Sequence, residues 1–245
     1  SHILIKRAEK ATPEEEAKAQ ERIKEAQARI KKGEDFDKIA EDYGYRTFYL
    51  VKVQCVGSLV TPDEGTSSEP FEGCADFHEF VLDQVRQLQP DLVVLSTSPT
   101  NRGVYDDEGA YYSDRDEVDA LVKQGYVNFL RALAPHADRT VLLADVPYLN
   151  GDPGTCLSSP RATLQSCVMT ERIGHRSSVR DQVAAAEEVG VEAIETSQWF
   201  CWKDRCPTVI GGYLPYRDSG HITNEYSAWL AGPLAQRLGL TRSGS

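Results

Sequence analysis

Asp91-Leu92-Val93-Val94-Leu95-Ser96 is the stretch on which the fold turns. Its apolar core is unbroken rather than alternating, and it is too short for a helix. Pro90 bounds it on one side and the polar segment from Thr97 on the other. A short continuous apolar run of this kind marks a strand buried on both faces, as in a parallel sheet. Thr140–Val146 repeats the pattern, and Glu192–Thr196 predicts a further strand. Arg46–Gln54 is rich in β-formers and predicts another strand. Helical patterns separate the strands: Asp76–Leu88, Asp116–Leu133 stopped before Pro135, Ser178–Val189 capped by Gly190, and a closing Asn224–Leu238. Alternation of this sort predicts an α/β fold, a parallel sheet with helices on both faces. In such sheets chemistry gathers at the carboxyl ends of strands. Here those ends are Cys55, Ser96–Asn101, Asp145–Tyr148 and Gln198–Phe200.

The chain has 245 residues and a net charge of -11. That length can enclose a real core. That charge speaks against binding nucleic acid or an anionic membrane surface, both of which call for Lys/Arg-rich faces. No apolar run approaches the roughly 18 residues of a membrane span, and no signal peptide opens the chain. The sequence thus reads as a soluble body or a piece of something larger. The six cysteines fall into close pairs, Cys55 with Cys74, Cys156 with Cys167, and Cys201 with Cys206. Six cysteines allow fifteen pairings; neighbours in sequence are the economical choice, each spacing suiting a loop clip. Zinc is the rival reading, but no pair has Cys-x-x-Cys spacing and no His stands at finger spacing. Disulfides place the native context outside the cytosol.

Composition changes near Tyr43. Residues 1–43 hold seven of the ten lysines and no Cys, Trp or Met. Beyond them Arg outnumbers Lys fourteen to three. The reading is a first segment at 1–43, a main domain at 44–240 and a tail at 241–245. In the first segment His2–Lys6 predicts a strand. Thr12-Pro13-Glu14-Glu15 predicts a capped helix start, running to Lys32 with Glu25 and Arg29 as a supporting charge pair. Ser1–Lys6 and Gly33–Ala40 together resemble the start of parvulin-type prolyl isomerases, whose active site includes a His at the position of His2. The likeness stops at Tyr43, before that family's proline pocket. The segment therefore reads as a βα unit docked on the main domain, and a prolyl-isomerase fragment stands as an alternative.

The chemical signal of the main domain is Tyr216-Arg217-Asp218-Ser219-Gly220-His221-Ile222-Thr223. A His acting as general base needs an acceptor to orient its ring, and a carboxylate three residues away can supply one. Spacing alone equally fits a loop His satisfied by its neighbour. Residues 45–240 resemble the SGNH-hydrolase-like domains attached to family-three membrane acyltransferases. The likeness rests on Pro90–Ser96, Asp145-Val146-Pro147 with Cys156-Leu157, Trp199–Cys201 with Cys206-Pro207, Val209–Gly212, and Tyr216–His221. It implies a three-layer flavodoxin-like fold and acyl transfer or ester hydrolysis on extracytoplasmic carbohydrate. His221 would be the base and Asp218 its orienter, with no cofactor and no metal. Ser96, Asn101 and Trp199 are candidates for the oxyanion or pocket positions. The implied partners are an acyl donor, a carbohydrate acceptor and, in the parent protein, a membrane acyltransferase domain.

The family's Gly-Asp-Ser nucleophile motif has no counterpart here. Ser58, Ser96 and Ser98 stand near strand ends as fallback nucleophiles. An impaired enzyme and a non-catalytic chimera or binding module both remain open on this ground. Acidic Asp106–Glu108 and Asp114–Glu117 read as solvated loops rather than calcium sites, and Gly211-Gly212 as a turn rather than a phosphate loop.

Overall fold

The computed structural model describes residues 47–239 together with Glu25 and Arg29, both helical as the sequence leads one to expect. The other expectations for residues 1–46 and 240–245 lie outside the described residues. The larger of two compact units comprises Leu50–Thr208 and Asp218–Gly220; the smaller includes 47–49, Val209–Arg217 and 221–239.

The larger unit is built on a parallel sheet of β2 (Val93–Ser96), β5 (Thr140–Leu143) and β7 (Glu192–Ile194), in the order β2-β5-β7. The register aligns Leu95, Leu142 and Ala193 across the sheet. On that face they meet Leu130 of α2 (Arg115–Leu133) and Ala186 of α4 (Ile173–Glu188). α1 (Glu72–Leu88) joins α2 over Val93 and Leu95 through Val85, Phe129 and Leu133. The opposite face carries Val141 and Ile194, both fully buried, as a sheet covered on both sides requires. The architecture is α/β with a parallel sheet and packed helices, in keeping with the flavodoxin-like arrangement read from sequence.

Short antiparallel pieces surround this sheet. β1 (Thr61–Pro62), β3 (Val104–Tyr105) and β4 (Tyr111–Tyr112) form one sheet, and β6 (Met169–Thr170) pairs with β8 (Arg205–Cys206). A short helix, α3 (Pro153–Leu157), precedes β6. The acidic loops are structural. Asp114 caps α2 by accepting from the amides of Asp116 and Glu117, and Asp106 accepts from the Glu108 and Ala110 amides and from the Tyr112 hydroxyl. All three expected disulfides are present, Cys55–Cys74, Cys156–Cys167 and Cys201–Cys206. In the smaller unit, Gly211 and Gly212 take positive φ in the turn that closes Ile210 onto Tyr213. There α5 (Asn224–Arg237) is capped by the Thr223 side chain and buries Tyr226, Leu230 and Leu234, four residues apart along one face.

Two readings need correction. The strand expected at Arg46–Gln54 is irregular over its described residues, 47–54, with a turn at its end. Val51 and Val53 are 77% and 79% exposed; β-propensity without a paired neighbour does not make a strand. Val94, expected inside a strand buried on both faces, is 39% exposed. Among the described residues β2 is an edge strand of the parallel sheet, in which only β5 has a strand on either side.

One buried amide ties the strand ends together. Gln182 of α4 is fully buried. Its Oε1 accepts from the Asp145 amide at 3.3 Å, while its Nε2 donates to the Thr97 carbonyl at 3.1 Å and to the Tyr126 hydroxyl at 3.0 Å. Burial pushes the Tyr126 phenol far up, so its oxygen is a neutral hydroxyl in this network. Replacing Gln182 with Leu leaves three groups without their partner; buried unsatisfied polar groups cost about 1–3 kcal/mol each. We expect Gln182→Leu to lose about 3 kcal/mol of stability, read from the shift in urea midpoint at unchanged slope.

Candidate functional site

The carboxyl ends of β2 and β5 bring a polar cluster together. The chain leaves β2 through Thr97 into Ser98 and leaves β5 through Ala144 into Asp145. Asp145 is held at every polar atom. Gln182 accepts from its amide, the Thr196 hydroxyl donates to its carbonyl at 2.7 Å, and the Val146 amide donates to Oδ1 at 2.9 Å. Two groups share Oδ2: the Ser98 hydroxyl at 2.5 Å and His175 Nε2 at 3.2 Å. A carboxylate only accepts, so the single Ser98 hydrogen points at Asp145, and the Tyr148 hydroxyl, 3.0 Å away, donates to Ser98 Oγ.

His175 sits in the first turn of α4. Its ring stacks on Tyr148 with centroids 4.2 Å apart and planes 9° from parallel. Nδ1 is 3.7 Å from Glu171 Oε1, an ion-pair distance too long for a hydrogen bond. Side-chain exposure is 9% for His175, 16% for Asp145 and 11% for Glu171. Burial by itself pulls the imidazole pKa down, but the hydrogen bond and charge of Asp145, with the charge of Glu171 adding to them, more than offset it and leave the value raised. Ser98 is exposed, so the cluster runs from a protected ion pair to a hydroxyl at the surface.

The loop carrying Asp218 rests on this cluster. The Leu149 amide donates to the Ser219 carbonyl at 2.7 Å, and Arg172 bridges the Leu149 carbonyl and the Ser219 hydroxyl. Gly220 lies so close to Tyr148 that a Cβ would stand 3.0 Å from the ring. Asp218 itself turns the loop by accepting from the Gly220 amide at 2.9 Å.

Asp218 belongs to the larger unit and is half-buried; His221 belongs to the smaller and is exposed. Within the smaller unit the Arg217 amide donates to the His221 carbonyl, and Tyr216 bridges Ile222. Ser96 is the exposed last residue of β2. Asn101 lines an open polar cleft with Asp63, Thr66 and Arg102. Trp199 closes a 3-10 turn after β7 and is half-buried. Ser58, one of the fallback nucleophiles, is fully buried and donates to the Val122 carbonyl at 2.7 Å, which removes it from that list. Sequence reasoning missed His175 and Glu171. Their i, i+4 spacing at the head of a helix was the available signal.

The zinc alternative has a structural echo in Cys55, Cys74 and His78, whose ligand atoms lie within 4.8 Å of one another. The two sulfurs are bonded to each other, and His78 Nε2 donates to the Val56 carbonyl at 2.7 Å. The arrangement is a cystine covered by a histidine, with no thiolate and no lone pair of Nε2 directed inward.

Comparison with known proteins places this geometry in context. A family model described as an SGNH domain (fused to AT3 domains) matches residues 33–236. A solved structure, the periplasmic domain of the lipopolysaccharide acetyltransferase of Salmonella ser. Paratyphi A, aligns with a TM-score of 0.51 at 17% identity, covering 74% of this chain and 68% of that one. At that identity the likeness concerns the fold alone. No curated protein matches the chain. The prolyl-isomerase resemblance of residues 1–43 finds no support in these comparisons.

The raised His175 value sets a direction for pH. A folded value above the ordinary 6.5 gives stability that is full below pH 6.5 and lost as pH rises through the folded value. Nuclear magnetic resonance titration is expected to place the His175 midpoint above 6.5 and to find it lowered in Asp145→Asn. The stability cost of His175→Gln is expected to be larger near pH 5.5 than near pH 8.5, measured by denaturant unfolding.

Proposed function

Because the chain belongs to the family of SGNH domains fused to AT3 domains, we propose that it carries out acyl transfer or ester hydrolysis on a carbohydrate outside the cytoplasm. The family match carries this reading, since it spans Tyr216–Thr223 and the strand ends that precede it. His221 takes the proton of the attacking hydroxyl as general base, and Asp218 holds the imidazole in the right tautomer. Carbohydrate as acceptor is supported by the lipopolysaccharide acetyltransferase domain that shares the fold. Three disulfides support an oxidising compartment. The fusion named in the family description supports a membrane acyltransferase as partner.

Turnover is low in this reading, because no Gly-Asp-Ser supplies the nucleophile and loss of one triad member costs about 10⁴-fold or more in rate. The same absence favours a second reading, a binding module that holds glycan without reacting. The test is hydrolysis of 4-nitrophenyl acetate by the oxidised chain. Slow turnover that falls at least about 100-fold in His221→Ala supports the proposal. Equal rates in wild type, His221→Ala and buffer overturn it. Glycan binding in the absence of any turnover selects the second reading.

A further inference from the structure

We propose that Ser98 is an acyl-accepting nucleophile served by Asp145, a catalytic pair built into the ends of β2 and β5. The inference rests on the ester chemistry proposed above and adds the nucleophile that the Gly-Asp-Ser motif would otherwise provide; for Ser98 the proton acceptor is Asp145, in place of the His221 of that reading.

The geometry is that of an activated hydroxyl. Ser98 Oγ is 2.5 Å from Asp145 Oδ2, within hydrogen-bond reach of a base. The base is oriented in turn by His175 on the same oxygen and by the Val146 amide on the other. Tyr148 fixes Ser98 Oγ from a second direction at 3.0 Å. The hydroxyl is exposed, while the groups that aim it are mostly buried. The other serines considered lack this support: Ser58 is buried against Val122, and Ser96 is the terminal residue of an edge strand.

The step balances within the pair and an ester substrate. Ser98 Oγ attacks the acyl carbon, forming an O–C bond, and its proton passes to Asp145 Oδ2. Collapse of the tetrahedral adduct breaks the bond to the leaving alcohol, which takes the proton back from Asp145. The acyl group is then held on Ser98. Water or a sugar hydroxyl attacks it, gives its proton to Asp145, and releases Ser98, which is reprotonated by the same carboxyl.

The test treats the full, oxidised chain with a fluorophosphonate probe and maps the adduct by peptide mass spectrometry, beside turnover of 4-nitrophenyl acetate. We expect one adduct, on Ser98, none in Ser98→Ala, and labelling slowed at least about 100-fold in Asp145→Asn. Turnover in Ser98→Ala is expected to fall about 1,000-fold or more. An adduct on another serine with turnover kept in Ser98→Ala overturns the Ser98 assignment and leaves the ester chemistry standing. Neither adduct nor turnover in the wild-type chain overturns both. Because the position of the adduct is read in the unmodified protein, the result does not depend on either variant folding.

Discussion

The buried amide of Gln182 is the constraint on which the rest depends. Parallel strands β2 and β5 end with backbone groups that the sheet no longer pairs, and a buried unpaired group carries a large desolvation penalty. A single side chain from α4 satisfies one group at each end: the Thr97 carbonyl and the Asp145 amide. Those groups adjoin Ser98 and Asp145. The distance between the serine hydroxyl and the carboxylate is therefore set by a third element rather than by either loop. The same helix carries His175 seven residues earlier, two turns away and on the same face. α4 thus both spaces the pair and supplies the ring that holds the carboxylate.

Collecting Asp145, Glu171 and His175 in one half-buried place is costly unless each charge is answered. Asp145 is answered by the Val146 amide, the Ser98 hydroxyl and the imidazole; His175 is answered by two carboxylates. The head of α4 disfavours a cation, since helix N-termini carry partial positive charge. The two acids offset that, and the Tyr148 ring covers one face of the imidazole. The cluster also seats the loop of Asp218 through Gly220, where the flat tyrosine ring meets a backbone without a side chain.

Much of this was legible in the sequence where the pattern is long. The runs that became β2, β5 and β7, and helices α1, α2, α4 and α5, differ from expectation by a few residues at their ends. Asp114 rather than Asp116 starts α2, for instance, because its side chain caps two amides. The small sheets were not legible: β1, β3, β4, β6 and β8 have two residues each, too few to show any period. The strand expected near Val51 failed because propensity says nothing about a partner. In the site, the Asp218-x-x-His221 motif is visible because its members are neighbours in sequence. Ser98 and Asp145 were visible singly, as residues at strand ends. Their meeting was not, since 47 residues separate them and the sheet register together with Gln182 of α4 closes the gap. His175 gave no signal strong enough to single it out; it gains meaning from a carboxylate 30 residues away.

The three cystines enclose 19, 11 and 5 residues of sequence separation, and their loops are disjoint: one ends before the next begins. None nests inside or threads another. In the order of synthesis each cysteine therefore meets its mate before the following couple appears. Oxidation in the order of synthesis therefore joins the sulfurs in the observed pairs.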